Sequence, residues 1–138
     1  MKKRLNPQQA LIYAMITVAA VDRSISDDEL QRIGTFVREL PAFRGFSGDW
    51  LMEEAQAAGK LLSRPPNGVD TVLDMVGEAV TPELRETAYI LCSEIAAVDL
   101  SIGAEETRFL DKLAAKLNLD PLVRAALERA AKARHQTG

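Results

Sequence analysis

Apolar residues recur along the chain at the three- and four-residue spacing of α-helices, and the sequence has no alternating β-branched run typical of a strand. Two segments, from Ala10 to Val21 and from Ala88 to Val98, are apolar on almost every side. Because such helices lack a polar face, we expect neighbouring helices to enclose both. The other helical segments are amphipathic and predict an outer layer. The fold class is therefore all-α, a single irregular bundle.

Capping residues, prolines and glycines divide the chain into about seven helices, with Asn6, Ser26 and Asp120 as the predicted caps of the first, second and last helices. We expect one domain over residues 1–138, with a first repeat at about 7–40 and connecting helices at about 41–80. A second repeat is expected at about 82–117, and a C-terminal helix at about 120–135. Connections this short are typical of a compact helical bundle.

The two apolar segments end in matching turns that lie about 77 residues apart. Residues 19–29 read AAVDRSISDDE, and residues 96–106 read AAVDLSIGAEE. In both copies an apolar helix ends at an aspartate, a turn carries Ser-Ile, and acidic residues open an amphipathic helix. This duplicated helix–turn–helix predicts two related hairpins packed with pseudo-twofold symmetry.

Helix capping explains much of the repeated turn. Ser26 and Glu29 have the spacing of a capping box, in which each side chain accepts a backbone N–H at the helix start. Ile25 can pack on Leu30 as a hydrophobic staple. The second copy has Gly103 at the cap position and therefore lacks the capping hydroxyl.

Capping leaves Asp22 and Asp99 unexplained, since a carboxylate at a helix C-terminus meets the negative end of the dipole. Each aspartate can accept a turn N–H or pair with an arginine. The alternative is a divalent cation, calcium or similar, shared with first-turn carboxylates of the same copy. The turn is not an EF-hand, because Ile33 stands where the bidentate glutamate is required. The candidate ligands in the first turns are Asp28, Glu29, Glu105 and Glu106.

A second group of candidates lies in the second apolar segment and near the C-terminus. Glu94 must occupy an exposed strip, pair with an arginine or add a ligand to the cation site. Cys92 is expected to be a small buried hydrophobe, because no second cysteine or nearby histidine activates it. His135 is expected to be a solvated residue of the C-terminal tail.

Three aromatic residues, Phe43, Phe46 and Trp50, cluster around the loop before the third helix. Such residues either cover the core or form an exposed anchor for a protein partner. Both interpretations are open from the sequence.

Composition narrows the function classes. The net charge of −3 argues against a dedicated nucleic-acid-binding protein, which needs a basic face. A single cysteine excludes a disulfide framework, and a single histidine excludes most histidine-based catalysis.

The basic residues at 2–4 and the apolar run after them imitate a secretory signal, but the polar stretch at 6–9 separates the two. Both apolar runs are shorter than the roughly 20 residues that cross a bilayer, so we expect a cytoplasmic protein.

The paired turns resemble those of the TerB-like family of tellurite-resistance and stress-response domains, which includes the N-terminal region of the DjlA co-chaperone. The family turn has the form Asp-Gly-x-Ile/Val-x-x-x-Glu, and the resemblance covers nearly the whole chain. The matching residues are Asp22, Ile25 and Glu29 in the first copy, and Asp99, Ile102 and Glu106 in the second. The family's glycine is replaced by Arg23 and Leu100.

The resemblance implies an all-α fold of about seven helices without established catalysis. It also implies a role in complexes with membrane proteins or chaperones, and cation binding in some settings. We therefore expect a non-enzymatic interaction domain that binds a protein partner through its acidic turns. The alternative is a domain that binds or senses a divalent cation with the same carboxylates.

Overall fold

A computed structural model describes residues 4–21, 25–64, 67–97 and 103–138. Within these residues the chain forms seven α-helices and no strand, which confirms the all-α prediction. The seven helices are α1 (Pro7–Ala20), α2 (Asp27–Glu39), α3 (Leu51–Leu62), α4 (Gly68–Ala79), α5 (Arg85–Ala97), α6 (Ala104–Lys116) and α7 (Pro121–Arg134). Within the same residues, no helix is both long enough and apolar enough to cross a membrane.

Helices α1 and α5 form the centre of the bundle, as their apolar sequences predict. Every residue from Ala10 to Ala19 is buried, and α1 packs against α3, α4 and α5. Helix α5 packs against α1, α6 and α7, and its second half is buried almost without interruption. Burial of one large aliphatic side chain contributes about 1.5–3 kcal/mol, so these two helices supply much of the stabilisation.

The N-terminus of α1 is fixed by its cap and by a contact to a distant loop. The Asn6 side chain accepts the backbone N–H of Gln9 at 2.8 Å, and the Gln9 side chain accepts the N–H of Asn6 at 3.0 Å. The Gln8 amide donates to the carbonyls of Ala42 and Arg44 at 3.2 and 3.0 Å. These bonds attach the segment between α2 and α3 to the central helix.

Gly68 permits a close approach at the start of α4. A Cβ atom at this position would lie 2.3 Å from the carbonyl oxygen of Leu62 and 2.6 Å from that of Leu61. Both oxygens belong to the backbone of α3, so they cannot move away as a side-chain end would. Glycine is therefore required where α4 begins against the end of α3.

Candidate functional site

The first repeat turn contains a complete capping box. The Ser26 hydroxyl accepts the N–H of Glu29 at 3.1 Å, and the Glu29 carboxylate accepts the N–H of Ser26 at 2.9 Å. The Glu29 residue is only 1% exposed. The predicted capping box is thus confirmed, and one Glu29 oxygen is already used by the backbone.

The second repeat turn has the same backbone shape at its cap. Ser26 has φ −76° and ψ 160°, while Gly103 has φ −78° and ψ 172°. The carboxylate of Glu106, which is also buried, accepts the N–H of Gly103 at 3.0 Å. The second copy therefore keeps the glutamate half of the box, and glycine supplies no hydroxyl for the other half.

The remaining candidate cation ligands are dispersed where the structure describes them. Asp28 is exposed, and Glu105 is exposed with the guanidinium of Arg108 at 3.2 Å from its carboxylate. Asp22 and Asp99 lie outside the described residues. Over residues 4–21, 25–64, 67–97 and 103–138, no three His, Cys, Asp or Glu side chains form a group that could hold a metal ion.

Glu94 is a buried carboxylate that faces the end of α7. Its side chain is 6% exposed and accepts a hydrogen bond from the guanidinium of Arg134. This contact raises the pKa of Arg134 through the hydrogen bond and the negative charge of Glu94. Of the roles open from the sequence, pairing with an arginine is the one observed.

His135 is not the solvated tail residue that the sequence predicts. Its Nε2 atom lies 3.3 Å from a Glu94 oxygen without forming a hydrogen bond, and its side chain is mostly buried. The prediction was wrong because α7 packs along α5 to its last residue and carries the histidine inward.

Sequence reasoning missed a second polar cluster between α5 and α7. The Tyr89 hydroxyl donates to the Glu128 carboxylate at 2.8 Å and accepts from the Arg124 guanidinium at 2.9 Å. Arg124 also pairs with Asp111 and lies 5.5 Å from the centre of the Tyr89 ring. Burial, followed by the hydrogen bond to Glu128, raises the pKa of Tyr89. The basic residues of α7, namely Arg124, Arg129, Lys132 and Arg134, repeat at near-helical spacing, which is typical of a solvated face and gives no sign that Arg124 contacts Tyr89.

The aromatic cluster divides between the core and the surface. Phe43 is buried, so it cannot be the exposed anchor that the sequence left open for it. Phe46 is half-buried and contacts Phe43 and Trp50 edge to face, with ring centres 6.4 and 6.1 Å apart. Trp50 itself is 56% exposed, and Met52, two residues along, is 54% exposed.

Cys92 is fully enclosed within α5. Burial raises the pKa of its thiol well above the ordinary range, which keeps it protonated. The expectation of a small buried hydrophobe is confirmed.

Comparison with family models identifies the family of this chain over most of its length. A family model described as a protein of unknown function, DUF533, matches residues 2–131. The chain belongs to the DUF533 family. DUF533 is related to the TerB-like domains, which is the broader group that the repeat turns resemble. Neither the curated proteins nor the solved structures include a match to the chain.

In this DUF533 domain, three of the candidate carboxylates are therefore unavailable to a ligand or partner, while Asp28 and Glu105 are exposed. Glu29, Glu94 and Glu106 are buried and bound to groups of the same chain, whereas Trp50 and Met52 present their side chains to solvent.

Proposed function

We propose that this DUF533 domain binds a protein partner through an aromatic surface formed by Phe46 and Trp50, whose rings contact each other. The exposure of Trp50 carries the proposal, because a large indole ring left in water gains more from burial against a partner than most side chains do. A role in binding rather than catalysis is part of the proposal.

The aromatic surface is held in place before any partner arrives. Trp50 ends a short 3₁₀ turn, Gly48–Trp50, in which the Ser47 hydroxyl accepts the N–H of Asp49 at 3.3 Å. Helix α3 begins at the next residue, and Phe46 supports the indole ring from the side. A fixed ring loses little conformational freedom on binding, which favours its use as an anchor.

A groove beside this surface indicates the kind of segment that fits. The groove has a volume of about 620 Å³, and Val37, Leu40 and Phe46 contribute apolar walls. Arg38, Glu39 and Arg44 also line the groove and leave it with a net positive charge. A partner segment with a large apolar side chain and a neighbouring carboxylate matches both features.

The resemblance to TerB-like domains supports a biological setting for this binding. We propose a cytoplasmic stress response of the tellurite-resistance type as that setting, with a membrane-associated or chaperone complex as the partner. The acidic turns are the competing surface, and there the exposed carboxylates are Asp28 and Glu105.

Affinity purification of the tagged chain from its source cells distinguishes the two surfaces. We expect a specific partner to be recovered with the wild type and lost with Trp50→Ala. Leu122→Ala is the matched control, because Leu122 is 79% exposed on α7 and its truncation also removes exposed apolar area. Loss of the partner from Asp28→Asn with Glu105→Gln, but not from the Trp50 variant, would assign binding to the acidic turns.

Calorimetry tests the cation alternative. The protein is titrated with calcium, magnesium, manganese and zinc, and the titration is repeated with Asp22→Ala combined with Asp99→Ala. Saturable binding that disappears in this folded double variant would establish a cation site. Retention of the partner by the same double variant would show that the aromatic surface works without that site.

A further inference from the structure

We propose that a cavity between α5, α6 and α7 binds a small anionic amphiphile, with a medium-chain carboxylate as the simplest member of the class. The cavity has a volume of about 410 Å³, which is within the range of small-molecule sites. Ala97, Leu110 and Ala131 provide its apolar wall. This site is separate from the aromatic surface, and its proposal does not depend on that function.

The Ser93 hydroxyl is the first observation that favours a ligand in this cavity. Ser93 lines the cavity, is only 4% exposed and has no hydrogen-bond partner for its Oγ atom among the described residues. A buried hydroxyl without a partner is unfavourable, because it has lost its bonds to water and gained none in return. An oxygen atom of a ligand in the cavity would accept its hydrogen bond.

The charges around the cavity indicate the sign of the ligand. Glu128 lines the cavity, but its carboxylate is bound to Tyr89 and faces the Arg124 guanidinium at 3.5 Å. Lys132 and His135 also line the cavity; His135 lies against Glu94, whereas Lys132 is exposed and takes part in no ion pair among the described residues. The unpaired charge at this site is therefore positive, which favours an anionic head group.

The apolar wall and the polar groups of the cavity are together complementary to an amphiphile rather than to a simple anion. A ligand with an aliphatic chain would bury that chain against the wall, while its head group would reach Lys132 and Ser93. Inorganic phosphate or acetate would meet the charge but leave the wall uncovered, so we expect both to bind far more weakly.

The test is a titration of the whole chain with decanoate. Binding is measured by calorimetry and by the NMR chemical shifts of the backbone amides. We expect saturable binding that shifts the amides of Ser93 and Ala131. Acetate is the probe without an aliphatic chain. Decyltrimethylammonium is the probe that keeps the chain and reverses the charge. Lys132→Gln is expected to weaken decanoate binding about fivefold. Lys60→Gln, on α3, is the charge-matched control and should leave the affinity unchanged.

Two further variants keep the test decisive. Ser93→Ala removes the unpartnered hydroxyl and should weaken binding while preserving the fold, and Ala131→Leu should fill the cavity and abolish binding. If Ala131→Leu does not fold, the other two variants still decide the question. The proposal fails if millimolar decanoate does not bind, if decyltrimethylammonium binds equally well, or if folded Lys132→Gln and Ser93→Ala variants both bind like the wild type.

Discussion

The buried carboxylate of Glu94 in α5 is hydrogen-bonded to the guanidinium of Arg134, the last residue of α7. The two residues are 40 positions apart in the sequence, so this contact joins the end of the C-terminal helix to the central helix α5. A buried charge that loses its partner is strongly unfavourable, and the pair therefore makes the end of α7 important for stability.

Arg134→Ala is expected to lower the free energy of unfolding by about 1–3 kcal/mol, because it removes the hydrogen bond that the buried Glu94 carboxylate accepts and leaves only His135 beside it. The loss should be smaller when Glu94→Gln is already present, since a neutral amide is less costly to leave unpaired. Urea denaturation of the two single variants and the double variant measures the coupling. Arg129→Ala, an exposed arginine on the same helix, should change stability by less than about 0.5 kcal/mol. Equal losses from Arg129→Ala and Arg134→Ala would contradict this interpretation.

Tyr89→Phe tests the second contact between α5 and α7. The substitution removes a hydroxyl that bonds to both Glu128 and Arg124 while preserving the ring. We expect a loss of about 1–2 kcal/mol in unfolding free energy, measured by denaturant titration. Unchanged stability would show that water replaces the hydroxyl in the cluster.

A substitution at the cap of the second repeat turn is expected to stabilise the protein. Gly103 has a backbone conformation open to any residue, and the Glu106 half of its capping box is already formed. Gly103→Ser should therefore stabilise the protein by about 0.3–0.5 kcal/mol by adding the missing hydroxyl. Gly103→Ala supplies a side chain without an acceptor and should be destabilising relative to the serine variant. The prediction is wrong if thermal unfolding shows serine and alanine to be equivalent.

Because the thiol of Cys92 is buried, we expect it to lower the free energy of unfolding at alkaline pH. Burial raises the pKa of its thiol in the folded state above the ordinary value of about 8.5. Stability from this group is fully present below the unfolded pKa and falls as pH rises above it, because the unfolded chain releases the proton more readily. The slope due to Cys92 approaches about 1.4 kcal/mol per pH unit.

Cys92→Ala isolates that slope. Denaturation of both proteins between about pH 7.5 and about pH 9.5 should show stability falling more steeply in the wild type, by the share that the thiol contributes. Other titrating groups are common to the two proteins and cancel in the comparison. Parallel pH profiles would mean that the thiol is accessible in the folded state.

Local signals predicted the helix boundaries well. Asn6 and Ser26 cap helices with side chains that bond three residues away, as the sequence predicts. Asp120 likewise accepts the N–H groups of Leu122 and Val123 at the start of α7. Such contacts depend on neighbouring residues and are visible in a short stretch of sequence.

The candidate sites were less predictable because they depend on the packing of distant helices. The sequence required a partner for Glu94, but several basic residues on α7 have similar spacing, and only the packing angle selects Arg134. The same limit applies to Phe43 and Trp50, which lie in one short segment yet have opposite exposure. No spacing rule tells which ring of an aromatic cluster turns toward the core.

The proposed binding surface is tested most directly by site-specific photocrosslinking in the source cells. A photoreactive phenylalanine analogue replaces Trp50 in one protein and Leu122 in another, so that two exposed apolar positions are compared. We expect a discrete adduct with one partner protein from position 50 and none from position 122. That adduct should weaken when Phe46→Ala is added, because Phe46 is the ring that contacts position 50. Adducts of the same partner from position 122 alone, or no adduct from position 50, would contradict binding at the aromatic surface.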